Sequence, residues 1–362
     1  MFLAFGEIML RVGPPGLLRF RQCLPGKVDI TFGGGEANVC GSLAHFGRTA
    51  RYVTALPKND IADSVVAWLR GLGVETRYIL RRGAGRLGVY YVETGANQRP
   101  SKVTYDRDFS AVSLAAPEEY QFDAALEGVR RVHVTGITPS ISENGFRSTL
   151  DLVRRAAERG ASISCDLNFR AKLWRWRPGA DAPALARECM TQILQYADLV
   201  IGNEEDAEKV LGIRAEGTSV DRGQIQAAAY EEVARKIKER FPRVSLVAIT
   251  LRESISADHN NWGAMLFDAQ AGRAHFAPLD ASGRYRPYEI RDIVDRVGAG
   301  DSFAAGLLYA LDCEELATPP KALAFAVAAS CLKHSIVGDM NYASVDEVKA
   351  LMGGSGSGRV QR

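Results

Sequence analysis

The sequence predicts an α/β protein: a mostly parallel sheet with helices on both faces, and a small β-only lid. Three observations carry that expectation. From Arg131 onward, short apolar runs alternate with helical stretches, the rhythm of strands joined by crossover helices. From Thr76 to about Leu114 the alternation stops and short strand-like runs follow one another without a helix; with residues 13 to 32 they suggest a lid on a larger body. Polar residues also cluster at the ends of successive strand candidates, where ligands of parallel sheets gather.

Taken in order, Leu3 to Val12 reads as a first strand with Glu7 and Arg11 toward its far end. A Pro- and Gly-rich loop from Gly13 to Gly26 and a short run, Val28 to Phe32, come next. Gly33-Gly34-Gly35-Glu36-Ala37-Asn38 then opens a helix to about Phe46. Glycines before a helix let backbone lie against a ligand, and Asn38 offers sugar hydroxyls both a donor and an acceptor; a loop with a capping Asn fits equally well. Arg51 to Ala55 reads as a strand and Ile61 to Leu72 as a helix.

Inside the β-only stretch, Gly83-Ala84-Gly85-Arg86-Leu87-Gly88 has the letters of a dinucleotide fingerprint. The run Val89 to Val92 after it is a strand where that fingerprint needs a helix, so the match is rejected. Tyr105 and Arg107, two apart, share one face of a strand, an arrangement that suits a planar carboxylate as well as a solvated arginine.

Strand candidates Val132 to Thr135, Ser162 to Asp166, Leu199 to Ile201 and Val244 to Thr250 alternate with helices near 143–159, 183–195, 204–211 and 224–239. The polar groups at their ends are Asp166, Asn168 and Arg170, then Asn203 to Asp206, then Thr250. Trp262 to Phe276 reads as a hairpin, helices are expected at 301–312, 319–334 and 344–352, and residues 353–362 form a flexible Gly/Ser tail beyond a domain spanning 1–352.

The stretch Asp295 to Gly306 organises the rest. An apolar, strand-like lead from Ile290 to Val294 meets Gly298-Ala299-Gly300-Asp301, and an Ala/Leu-rich helical run follows. Free N–H groups at a helix start, backed by the positive end of the helix dipole, hold phosphate. Asp301 at that junction has the chemistry of a base for an attacking hydroxyl, though an isolated Gly-x-Gly-Asp is more often a helix cap. The P-loop pattern G-x-x-x-x-G-K-[ST] does not occur.

Composition narrows the partners. In 362 residues, 45 basic against 43 acidic residues and no run of five like charges give no sign of nucleic acid or an anionic membrane, so a small partner is expected. The six cysteines form no C-x-x-C pair, which argues against zinc or a disulfide framework and for a reducing compartment. The N-terminus lacks a basic leader, and the apolar run Ala322 to Leu332 is too short for a bilayer, so the cytoplasm is expected.

The pair Gly33 to Asn38 and Asp295-x-x-Gly298-Ala299-Gly300-Asp301 resembles the two signatures of the ribokinase-like (PfkB) carbohydrate kinases, over residues 2 to about 350. Gly6 to Arg11, Tyr105-Asp106-Arg107, Asp166 to Arg170 and Gly202 to Asp206 look like the 2-keto-3-deoxygluconate kinase branch. The resemblance implies a three-layer α/β/α body with a β lid and ATP-dependent phosphorylation of a primary hydroxyl of the sugar acid. It implies Asp301 as base and the Gly298, Ala299 and Gly300 amides as anion hole. Gly34, Asn38, Tyr105 and Arg107 would touch the sugar acid, and Arg170 would lie between its carboxylate and the phosphates. Asn168, Asn203 and Thr250 would serve the nucleotide, with Asn203 and Asp206 organising Mg²⁺ through water.

Three positions depart from the family pattern: Asp206 for the usual Glu, Arg252 for Gly, and Arg296 for a small residue. Ile336 to Asp339 also differs from the loop that carries a monovalent cation in many relatives, so no such site is assigned. The exposed edges of a small sheet further suggest a homodimer through paired lids.

Overall fold

Alternation in the first strand already sorts the layers. In the computed structural model, which describes residues 1–203, 205–214 and 227–354, β1 (Phe2–Phe5) sends Leu3 and Phe5 into one apolar core and Phe2 and Ala4 into another. A strand buried on both faces belongs inside a sheet that helices cover from both sides.

The chain continues through β2 (Met9–Gly13), the short α1 (Phe20–Cys23), β3 (Asp29–Gly33), α2 (Gly35–His45), β4 (Ala50–Val53), β5 (Ala55–Pro57) and α3 (Asp60–Gly71). Next come β6 (Leu80–Arg82), β7 (Gly88–Glu93), β8 (Lys102–Asp106), α4 (Ala111–Leu114) and α5 (Phe122–Ala125). Strand and helix then alternate as expected: β9 (Arg131–Thr135), α6 (Thr138–Ile141), α7 (Glu143–Glu158), β10 (Ser162–Asp166), α8 (Ala182–Leu194) and β11 (Leu199–Asn203). A π-helical turn (Ala207–Leu211), α9 (Ala227–Arg240) and β12 (Leu246–Ser254) complete that series. The last elements are β13 (Asn260–Asp268), β14 (Arg273–Ala277), β15 (Tyr288–Ile290), α10 (Ala299–Leu311), α11 (Pro319–Lys333) and α12 (Val345–Met352).

The main sheet has the order β14-β13-β12-β11-β10-β9-β1-β4, with β15 also on β13. Pairs from β4 through β12 are parallel, and β13 runs antiparallel to its three partners. Residues of α7, α8 and α9 fill the core that holds Leu3; residues of α2, α3, α10, α11 and α12 fill the other. The smaller, four-stranded sheet has the order β3-β2-β7-β8 and its own apolar cluster of Met9, Tyr90 and Val92.

The structure corrects several expected boundaries. Leu3 to Val12 is not one strand but two, in different sheets, so the small sheet begins at Met9 rather than at residue 13. The chain passes between sheets at Gly6, where a Cβ would come to 2.1 Å from Glu36 Oε2. The stretch from Thr76 to Leu114 ends in the helical turn α4, and β6 within it pairs with β5 in a sheet of two strands.

Ile290 to Val294 does not form a strand into the Gly-rich turn. Only Tyr288–Ile290 pairs, with β13, while the N–H groups of Val294 and Asp295 donate to the His334 carbonyl at 2.9 and 3.2 Å. The expected helix near 224–239 and tail at 353–362 fall partly outside the described residues. All six cysteines are free thiols, and no helix among the described residues is long and apolar enough to cross a membrane.

Candidate active site

The start of α10 is built for a close approach. Its N-cap Gly298 has φ +84°, and a Cβ there would lie 2.0 Å from the Asp339 carbonyl oxygen, so conformation and space both require glycine. A Cβ on Gly300 would meet nothing within 4 Å, and the N–H groups of Gly300 and Asp301 find no backbone acceptor among the described residues. The Ala299 N–H reaches the Arg296 carbonyl only at 3.4 Å. Open donors at the positive end of a helix form an anion site.

Asp301, in the first turn of α10, accepts a hydrogen bond from Asn38 Nδ2 at 2.7 Å. Asn38 is held in turn because its Oδ1 accepts from the Gly34 N–H at 3.4 Å. Burial pushes the Asp301 carboxyl up to about 6, against the pull of the Asn38 bond. A carboxylate with that affinity is ionised at neutral pH and poised to take a proton. Beside it, buried Glu36 accepts the hydroxyls of Thr135 at 2.8 Å and Thr138 at 3.0 Å, fastening the start of α2 to the end of β9. Burial raises the Glu36 carboxyl to about 7.

A cleft of about 350 Å³ runs from α10 to the small sheet. Gly34, Asn38, Tyr105, Arg107, Asn168, Arg170, Asn203, Asp206, Thr250 and Gly298 to Asp301 all line it, so every candidate site residue comes together in one place. Arg252 and Arg296 line it as well.

The geometry adds partners that the sequence did not disclose. Arg107 lies over the Tyr105 ring, 5.4 Å from its centre, and its Nη2 donates to Oε2 of Glu7. Arg11 on β2 donates to Asp295 Oδ2 at 2.6 Å and to Asp339 Oδ1 at 2.7 Å, and the Tyr90 hydroxyl donates to Asp339 Oδ2 at 2.6 Å. Buried Lys333 donates from Nζ to the carbonyls of Ile336, at 2.9 Å, and Asp295, at 3.3 Å. Burial lowers its affinity for the proton. The segment 336–339, where no monovalent-cation site was assigned, is thus tied by a lysine and an arginine. The only local signal was a Glu and an Arg near the end of an apolar run.

At the ends of β10 and β11 lie two further carboxylates. Burial, then repulsion from Asp206 and Asp301, raises Asp166 well above the usual carboxylate range, and burial also raises Asp206. Asp206 accepts from the N–H groups of Asn203 at 3.0 Å and Phe169 at 3.2 Å, while Asn203 Oδ1 accepts from those of Glu205 at 2.8 Å and Asp206 at 3.0 Å. Arg170 is exposed and donates to its neighbour's carbonyl, the Phe169 oxygen, at 2.9 Å; its charge draws down the affinities of Asp166, Asp206 and Asp301. No group of three or more His, Cys, Asp or Glu among the described residues forms a metal cage.

The pattern of the pfkB family of carbohydrate kinases matches residues 5–251 and 270–343. The chain belongs to that family. As a PfkB protein it is an ATP-dependent carbohydrate kinase of ribokinase-like fold, as the Gly-rich motifs implied. This PfkB kinase is similar to the crystal structure of 2-dehydro-3-deoxygluconokinase from Thermotoga maritima, with 42% identity, a TM-score of 0.86 and 98% of each chain covered. It is 28% identical over 356 residues to 2-dehydro-3-deoxygalactonokinase of Haloferax volcanii, covering 98% of both chains. It is 27% identical over 341 residues to 2-dehydro-3-deoxygluconokinase of Thermoproteus tenax, covering 93% of this chain and 89% of that one.

Proposed function

We propose that this PfkB kinase transfers the γ-phosphoryl group of ATP to the primary hydroxyl of 2-keto-3-deoxygluconate, giving 2-keto-3-deoxy-6-phosphogluconate, with Asp301 as general base. The observation that carries the reading is the Asn38–Asp301 bond of 2.7 Å beside the open amides of α10. A fixed carboxylate of raised affinity beside open amides supports a base acting where a hydroxyl and a phosphate would meet. The names of the similar proteins support the acceptor class.

In the proposed step the acceptor oxygen attacks the γ-phosphorus in line, its proton passes to Asp301, and ADP leaves. The Gly298, Ala299 and Gly300 amides meet the charge on the phosphoryl oxygens, and Arg170 adds its own. Arg107 and Tyr105 receive the sugar carboxylate, while Gly34 and Asn38 receive its hydroxyls. Arg107 is already paired with Glu7, which orients the guanidinium before any ligand arrives. Asn168, Asn203 and Thr250 would line the nucleotide.

The donor set fits Mg²⁺ brought in with ATP: Asp166 and Asp206 are buried carboxylates raised in affinity, and a cation nearby relieves that. Asn203 and Asp206, already occupied by backbone N–H groups, would reach it through water. When bound, the ion neutralises charge on the phosphates. Residues 1–352 would act as one kinase domain with the small sheet as its lid, in the cytoplasm, where free thiols persist.

The test is ADP release across 2-keto-3-deoxygluconate, its galactonate epimer, neutral sugars and nucleosides. Highest kcat/KM on the sugar acids is expected. Preference for a neutral sugar or nucleoside would replace the acceptor, and no turnover on any of these compounds would place the acceptor outside them.

A further inference from the structure

The part of the cleft walled by β12, β13 and the segment before α10 carries two arginines, and a nearby carboxylate, Asp258, attracts one of them, Arg296. Arg252, near the end of β12, is exposed, and its side chain takes part in no hydrogen bond or ion pair among the described residues. Arg296 stands close enough that repulsion from Arg252, after burial, is the next influence lowering its proton affinity. Arg296 Nη2 is fastened to the carbonyls of Ser256 and Ala257, at 3.3 and 2.6 Å, and to Asn260 Oδ1 at 3.3 Å, but its buried Nε has no acceptor. Two more buried donors on the same wall, Asn260 Nδ2 and Trp262 Nε1, also lack one, in residues only 1% and 5% exposed.

Among the described residues every unmet buried polar atom on this wall is a donor, and the pair of guanidiniums is positive. A buried donor without a partner costs about 1–3 kcal/mol, so the missing partner is rich in acceptors and anionic. A nucleobase with an amino group, or a ribose, brings donors of its own. A polyphosphate brings acceptors alone, in the planar arrays that a guanidinium fork matches.

We infer that Arg252 and Arg296 are polyphosphate-binding residues, gripping the phosphates of the nucleotide that lie beyond the group received at the start of α10. The inference rests on the kinase reading of the cleft and names two departures from the family pattern as its nucleotide clamp. Affinity at this wall therefore rises with the number of phosphates and falls with salt.

The experiment is calorimetric titration of the whole protein, without sugar, using ATP, ADP, adenosine and inorganic tripolyphosphate. Arg252→Ala, at an exposed position, is expected to weaken ATP and tripolyphosphate by about tenfold or more and ADP less, with adenosine unchanged. Arg252→Lys should recover part of the loss, because charge returns without the fork. Equal losses for adenosine and ATP, or undiminished tripolyphosphate binding, would overturn the inference and leave the kinase reading standing. Wild-type binding of tripolyphosphate but not ATP, lost in Arg252→Ala, would sink the reading of this cleft as the nucleotide site and keep the anion clamp.

Discussion

At the end of the cleft walled by the small sheet, each buried arginine has already met a carboxylate; at the end walled by β12 and β13, two arginines lie near each other and no carboxylate among the described residues bonds to either. Arg107 has Glu7 and Arg11 has Asp295 and Asp339, while Asp301 accepts from the neutral amide of Asn38. Among the described residues the Arg252 side chain has no bonding partner, and Arg296 donates only to neutral oxygens, with Asp258 attracting it from nearby. The difference teaches where geometry is fixed before binding and where a ligand must complete it.

That contrast can be broken most forcefully at Arg11. Arg11→Met leaves Asp295 and Asp339 buried without their cation, and chemical denaturation should show a loss of about 3–5 kcal/mol. A loss near zero would mean that this end is not held together by charge. Next in size is Asp301→Asn, expected to keep ATP binding by calorimetry while turnover falls by about 10²-fold or more. Near-wild-type turnover would reduce Asp301 to a cap.

On the proposed mechanism the same carboxyl would set the acid limb of the pH profile. With its affinity raised to about 6, the base form is lost as pH falls, so kcat/KM should drop roughly tenfold per pH unit below that value and stay level above it. A flat profile from neutrality down to pH 4 would remove Asp301 from the proton path.

Arg107→Lys keeps a charge beside Glu7 but loses the fork. It should cost roughly 1.5–3 kcal/mol in kcat/KM on the sugar acid, and little on an uncharged analogue. Equal losses on both would show that Arg107 supports the wall rather than reading the carboxylate. The smallest effect concerns assembly. The edge strands β3 and β8, with exposed Leu24 and Ile30 nearby, suit pairing of two lids, and Ile30→Lys should shift a dimer to monomer in light scattering with the fold retained. A wild-type monomer at micromolar concentration would rule that pairing out.

The sequence made the body legible because its signals are local. Alternating strands and helices from Arg131, and the glycines and acid before an Ala/Leu run, are each readable within a dozen residues or so. What stayed hidden was set by distant neighbours. Glu7 and Arg107 meet across the chain, and no periodicity announces the pair. The apolar run Ile290 to Val294 looked like a strand, yet its last N–H group bonds to His334 at the end of α11 instead of to a sheet. The break at Gly6 depends on the Glu36 carboxylate filling the space beside it, and Glu36 itself drew attention only as part of a glycine motif.

The double ion pair of Arg11 has a mechanical consequence. β2 lies inside the small sheet, between β3 and β7, and it is also the strand bolted to the segments that bear Asp295 and Asp339. Swinging the sheet away as a rigid plate would break both ion pairs. Tyr90 on β7 holds Asp339 as well, so an opening that spares these bonds is confined to the outer margin at β8, like a page lifting from a bound spine. Tyr105 and Arg107 sit on that margin, whereas Arg11 sits on the spine. A product leaving the cleft would slip out beneath the lifting edge while the anion site at α10 stayed clamped and ready for the next nucleotide.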